Sequence, residues 1–461
     1  HCHMVMKKTP NGISLSKWAG FLAAFLCLIS LRAQTNGTSA TATNRPSAPR
    51  RPSIVLILAD NIGYGDLGCY GQAKVKTPWL DRLASEGIRF TSYYAASPSD
   101  ELSRASLFTG LEPRHLGGSA SHPLPVDSIT VATLLKESGF RTGLMGLWNL
   151  GDTPSVEPNT KGFEEFAGFL SESHARDYFT ENLYRQQTST GTNRLETMVD
   201  NLGNAKGRYM PDWLGQMAAK FLQYNAPDRL NHFNSLFLTV AYPVPHDTTP
   251  PKQSPYKSES WPQPAKDRAS MISHMDRNVG LLLEALGVWK METNTIVIFT
   301  SIGGAQKEGA MDPKFFGSSG PLRGEAGSLY EGGIRVPMII RWPAGIKPGQ
   351  VSDFTCAAWD ILPTLLDAAF MKPPEKTDGL SLLPVLTGKE KPKAHESFYW
   401  ESAGGETQKA ARKGNWKIVQ IGASAPALYN LKSDIGETNN VAEQNVDVLK
   451  NMKALLGSAT K

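Results

Sequence analysis

The chain has 461 residues, room for about two or three domains, and an ordinary globular composition of 40% hydrophobic and 20% charged residues. The formal net charge of +5 comes from the N-terminal end: residues 1–51 hold no acid, whereas the remainder carries 41 basic against 43 acidic residues. Bulk charge therefore gives no support to a nucleic-acid partner.

Lys7 and Lys8 precede an apolar run from Trp18 to Leu31, followed by Arg32-Ala33-Gln34. A basic start, a short apolar stretch and a small residue at the cut predict a signal peptide over residues 1–33, and hence an exported protein, periplasmic or extracellular. The run is short for a membrane span, so membrane attachment is expected only if the segment stays uncleaved. Residues 34–51 are polar and proline-containing, a disordered linker. Cys2 and Cys27 fall in this tail. Cys69 and Cys356 lack any zinc spacing and are expected as buried thiols, a disulfide being the alternative.

From residue 52 an α/β pattern begins. Arg51–Ala59 is a near-continuous apolar run bounded by Pro52 and by Asp60-Asn61, as a strand buried on both faces reads. Helical patterns follow over 78–86 and 130–138, and Ser99-Asp100-Glu101 opens another helix with its acids in the first turn. Further strands are predicted at 236–241, 295–300 and 336–341, with a helix over 269–286. Alternating strands and helices predict a large, mostly parallel sheet flanked by helices over residues 52–374. Ligands of such sheets bind beyond the carboxyl ends of the strands, where Asp60, His246 and Ile302 all fall. After about residue 375 short β-like pieces (396–400, 416–420) and a helix near 443–456 predict a smaller α+β subdomain over 375–461.

The ordered segments Ile54–Asp66, Thr77–Phe90, Ser103-Arg-Ala-Ser-Leu-Phe-Thr-Gly110, Thr142–Gly146, Pro245-His246, Leu329–Pro337, Asp360–Leu366 and Leu428–Asp434 together resemble the sulfatase family. The resemblance spans about residues 52–440 and implies the alkaline phosphatase superfamily fold, with a large α/β domain and a small C-terminal one. It also implies sulfate-ester hydrolysis. In that chemistry a Cys of a C-x-P-S-R motif becomes formylglycine, the hydrated aldehyde attacks, calcium polarises the sulfate, and lysines and histidines neutralise charge.

Carried over one position at a time, the motif is altered in this chain. C-x-P-S-R falls on Asp100-Glu-Leu-Ser103-Arg104, so a carboxylate replaces the nucleophile and no formylglycine is expected. The adjacent metal-binding aspartates become Asp60-Asn61, and the later Asp-Asn pair becomes Ile302-Gly303. A lysine and a histidine are replaced by Leu147 and Asn149, and a second lysine by Ala326. Asp60, Ser103, Arg104 and His246 remain, and Asp100, Ser103, Arg104 and His246 make up a vestigial pocket.

Calcium wants six to eight oxygens, and Asp60, Asn61 and Asp100 offer few, so at most weak binding is expected. An anion beside Asp100 without a metal meets repulsion. The expected protein is an exported, catalytically inactive binding component with a sulfated or other glycan, or another protein, as partner. The alternatives are an ester hydrolase with altered metal-assisted chemistry through Asp60, Asp100 and His246, and an oligomeric scaffold. Three structural expectations accompany this reading. Asp100 is a helix-terminal acid facing Arg104 one turn on, Asp60 is held by backbone N–H groups, and Leu147 and Ile302 pack inward.

Overall fold

The computed structural model describes residues 50–118, 123–186, 193–227, 234–245, 250–307, 309–402 and 406–458. The expected signal peptide, most of the linker and His246 lie outside the described residues. Everything below concerns the compact unit Arg51–Lys461.

In chain order the first strands are β1 (Ser53–Ala59), β2 (Ile88–Phe90), β3 (Tyr93–Tyr94), β4 (Arg141–Leu147), β5 (Glu165–Phe169), β6 (Asn182–Gln186) and β7 (Asn193–Thr197). They are followed by β8 (Leu236–Tyr242), β9 (Thr295–Ser301), β10 (Met338–Arg341), β11 (Gln350–Ser352) and β12 (Cys356–Ala357). Ten of these form one sheet in the order β11-β2-β10-β9-β1-β8-β4-β5-β6-β7, while β3 pairs with β12. The central strands β9, β1, β8, β4 and β5 run parallel. The margins do not: β10 is antiparallel to both its neighbours, and β6 and β7 form an antiparallel hairpin.

The apolar runs have a simple cause. Ile54, Leu56 and Leu58 of β1 join one core, whereas Val55, Ile57 and Ala59 join a second core on the opposite face. β9 divides in the same way, with Ile296 and Ile298 against Val297 and Phe299. A strand covered on both sides has no polar face to show, so its sequence loses the alternation that marks a half-exposed strand.

Helices cover both faces: α1 (Pro78–Ser85), α2 (Asp100–Thr109), α3 (Val131–Glu137), α4 (Glu172–Ala175), α5 (Met210–Tyr224) and α6 (Gln263–Val288). α2, α3 and the later α8 (Ile361–Ala368) bury Leu107, Phe108, Leu135 and Leu365 in the first core. α5 and α6 bury Trp213, Leu214, Met275 and Val279 in the second. α6 starts six residues before the predicted helix because Pro264 occupies its first turn, where a missing N–H costs nothing. β10 is shorter than predicted and antiparallel, a direction that no run of apolar residues specifies.

The C-terminal part holds α7 (Glu331–Ile334), α9 (Leu383–Thr387), α10 (Val446–Ser458) and an antiparallel sheet. That sheet is β13 (Phe398–Glu401), β14 (Gln408–Lys413), β15 (Trp416–Ile421) and β16 (Ala427–Asn430), in sequence order. The small sheet joins the large unit through a buried ionic cluster. Lys417 Nζ lies 2.8 Å from Glu331 and 3.0 Å from Glu437, with all three side chains shut off from water. Arg335 pairs with Glu331 at 3.0 Å, and the Tyr94 hydroxyl donates to the same carboxylate at 2.6 Å. Arg412 of β14 donates to Ser92 at 2.9 Å and also to the Tyr94 hydroxyl. Burial alone would raise the Glu331 pKa, but the charges of Lys417 and Arg335 outweigh it and hold the carboxyl down at about 2.

Removing Lys417 takes from Glu437 the cation it pairs with and leaves Glu331 to Arg335 and Tyr94, in a place shut off from water. Lys417→Met should therefore destabilise the chain by about 3–5 kcal/mol, measured by denaturant unfolding. A cost within the scatter of surface substitutions would mean that water reaches the two carboxylates.

Candidate functional site

The parallel centre of the sheet delivers its strand ends to one edge. Asp60 follows β1, Ile302-Gly303 follow β9, and Trp148-Asn149 follow β4. The N-terminus of α2 arrives at the same place, because Gly303 lies against Asp100: a Cβ on Gly303 would stand 2.8 Å from Asp100 Oδ1 and 3.2 Å from Asn61 Oδ1. Thus Asp60, Asn61, Asp100, Arg104 and Gly303 converge. His246 lies outside the described residues.

The start of α2 is as the sequence reading expects: Ser99 is extended, its hydroxyl accepts from Leu102 N–H at 3.5 Å, and Asp100 and Glu101 occupy the first turn. One expected pairing is different, and Asp60 gains a partner that the sequence reading did not name. Arg104 does not reach back to Asp100; its Nη2 donates to Asp60 Oδ1 at 2.6 Å and its Nη1 to the Leu147 carbonyl at 3.0 Å. Arg104 faces inward from the helix, and the fully buried strand-end carboxylate offers more than the less deeply buried Asp100 on its own helix. Correspondingly, Asp60 is held by a guanidinium, both side chains being almost fully buried.

Asp100 instead accepts a hydrogen bond from Asn61 Nδ2 at 3.0 Å. Burial, and next the charge of Asp60, push its carboxyl up to about 7, against the lowering influence of the Asn61 bond and of Arg104. Asn61 Oδ1 and Arg104 Nε are buried without a protein partner. Asn61 and Asn149 both adopt left-handed backbone, with φ of 62° and 51°, which asparagine tolerates better than most residues.

The other positions singled out in the sequence have structural partners. Leu147 and Ile302 are buried and belong to opposite cores. Asn149 accepts from Glu172 N–H at 3.0 Å and donates to Glu101 Oε1 at 3.4 Å. Ala326 donates its backbone N–H to the Ala305 carbonyl at 2.9 Å. Ser103 exchanges hydrogen bonds with the Ser97 backbone, both at 3.1 Å. Trp148 is core, its indole N–H donating to the Val156 carbonyl. Glu101 is the residue that the sequence reading passed over: it links Ser99, at 2.8 Å, to Asn149. Its place in a first helical turn was the only signal, and that signal explains itself by the helix dipole. Among the described residues no three of His, Cys, Asp and Glu converge as a metal site. Cys69 and Cys356 are free thiols, burial pushing the former up to about 12.

Residues 52–371 match the family model described as Sulfatase, and residues 326–461 match N-sulphoglucosamine sulphohydrolase, C-terminal. The chain is similar to arylsulfatase A of Homo sapiens, 33% identical over 453 residues that cover 88% of this chain and 87% of the relative. N-acetylgalactosamine-6-O-sulfatase of Bacteroides thetaiotaomicron is 29% identical over 485 residues, covering 89% and 93%. A solved structure of Ps i-CgsB in complex with k-i-k-neocarrahexaose aligns with a TM-score of 0.75 at 28% identity, over 89% of this chain and 93% of that one. The phosphonate monoester hydrolase of Agrobacterium radiobacter shares the fold, with a TM-score of 0.62 at 20% identity over 89% and 95%.

Asp100 generates a pH test. The folded chain keeps a proton that the unfolded chain releases between about pH 4 and pH 7, so this group's contribution to stability falls as pH rises through that window. Asp100→Asn should match the wild type below about pH 4 and exceed it above about pH 7, by at most about 4 kcal/mol. Calorimetric melting across pH checks this. Equal melting temperatures in mild alkali would count against a protonated Asp100.

Proposed function

The chain belongs to the sulfatase family of the alkaline phosphatase superfamily, and from that premise we propose that it is an exported binding component that does not turn over sulfate esters. The observation that carries this reading is the charge at the strand-end site. A carboxyl group stands at the nucleophile position, its charged form is already disfavoured by burial and by Asp60, and the Arg104 guanidinium beside it is engaged by Asp60. Leu147, Asn149 and Ala326 supply none of the cations with which a sulfuryl transition state would be stabilised.

The residues do not fit the family's calcium. Gly303 brings no side-chain oxygen to the cradle that it lines, which leaves Asn61 Oδ1 and Asp100 Oδ1 facing it, while Asp60 is engaged by Arg104. Asp60, Asn61 and Asp100 together fall short of six to eight oxygens, so at most weak binding follows. An aspartate cannot be converted to formylglycine, and Ser99 stands one residue too early to supply a serine-type precursor. The similarity to proteins named as sulfatases of sugars supports a sulfated or other glycan as ligand, with another protein as the alternative partner. The signal-like residues 1–33 support export to a periplasm or the exterior. No helix of the described residues is long and apolar enough to cross a membrane.

A second reading has one observation in its favour. A carboxyl pushed to about 7 is suited to proton transfer, so Asp100 with Asp60 and His246 could serve an altered, metal-assisted ester hydrolysis. Turnover of an aryl sulfate and an aryl phosphate, with and without calcium, separates the two. The expected result is no turnover above background and weak or absent calcium heat by calorimetry. Hydrolysis that disappears in Asp100→Ala would establish the second reading and end the first.

A further inference from the structure

β7 ends the ten-stranded sheet, and among the described residues its outer edge has no strand against it. Its sequence is Asn193-Arg194-Leu195-Glu196-Thr197. Natural edge strands are commonly guarded by charged side chains, lysine above all, by proline or by a bulge. Asn193–Thr197 has no proline and no lysine, its charges are one arginine and one glutamate, and its register with β6 is unbroken from Asn182↔Thr197 to Gln186↔Asn193.

The charges of this hairpin are unbalanced. Arg194 stands directly opposite Arg185 across the β6–β7 ladder, a like-charge pair that disfavours the hairpin. Arg185 reaches diagonally to Glu196 at 3.2 Å, which leaves two guanidinium groups sharing one carboxylate on that face. On the other face, opposite Tyr184, Leu195 is 57% exposed. Val199 and Leu202, which follow the strand, are 74% and 45% exposed.

Read in reverse, the strand is its own complement. Set antiparallel about a two-fold axis through Leu195, Arg194 faces Glu196 of a second copy, Asn193 faces Thr197, and Leu195 faces Leu195. We propose that β7 pairs with β7 of a second copy of this chain in that register, joining two ten-stranded sheets into one. Each Glu196 then lies between Arg185 of its own chain and Arg194 of the other, and the two exposed leucines cover each other at the axis. The free N–H and C=O groups of the edge acquire partners at the same time. This inference is independent of whether the strand-end site turns over an ester.

Sedimentation equilibrium of the full-length chain should show a concentration-dependent monomer–dimer equilibrium. Arg194→Glu places like charges at both symmetric contacts and should weaken the dimer about tenfold or more. Glu196→Arg should do the same. Mixing these two single variants should restore association as a heterodimer, since both contacts become complementary again. Neither variant should lower the melting temperature of the monomer as a core defect would. Leu195→Cys should give a disulfide-linked dimer on mild oxidation, where the unsubstituted chain does not, because residues meeting at such an axis lie at about 4.5–5.5 Å between Cα atoms. A chain that stays monomeric over its soluble range overturns the proposal, as does a dimer indifferent to charge reversal or a failure of the paired variants to associate.

Discussion

Strand β1 is enclosed on both faces by helices and on both edges by parallel neighbours, and that enclosure sets the chemistry at its end. A carboxylate at Asp60 emerges into a place with almost no water, where an unpaired charge is costly. Arg104 meets that demand from α2 at 2.6 Å. The ion pair occupies the guanidinium at the strand ends, and through it α2 is anchored over the sheet with Asp100 placed against Asn61 and Gly303.

From this arrangement the character of the site follows. Leu147, Asn149 and Ala326 bring no charge to it, and the Asp100 carboxyl is a group whose charged form is disfavoured. Leu147 and Ile302 are not loose replacements. They sit in the two cores on opposite faces of the sheet, so the uncharged character of these two strand-end positions and the packing of the fold are one feature. The backbone keeps its sharp turns there: asparagines at 61 and 149 hold left-handed positions beside the strand ends.

The C-terminal sheet is attached by a different device. Lys417, Glu331 and Glu437, with Arg335 and Arg412 around them, place five ionisable groups beneath the small sheet. Such groups are tolerated in a dry interior only when each is satisfied by another. The cluster ties the small sheet to the large one through paired charges at fixed positions. At the far margin of the large sheet, the β6–β7 hairpin has charge left over and an open edge.

Much of the fold is legible in the sequence, because strands buried on both faces and helices with capped starts write themselves into local residue order. The apolar runs at 53–59, 236–241 and 295–300, and the Ser99 start of α2, depend only on burial and on backbone groups close by. The family too is legible, as a series of short motifs in order. The partners of the charged residues are not. Whether Arg104 turns to Asp100 four residues away or to Asp60 at the end of β1 is decided by which carboxylate lies in the drier place, and that is a property of the packed chain. The same holds for the antiparallel direction of β10, the Lys417 cluster and the register opposing Arg185 to Arg194. Residue types and their local order are carried by the chain itself; which distant groups become neighbours, and how much water is left between them, is settled only when the sheet closes around them.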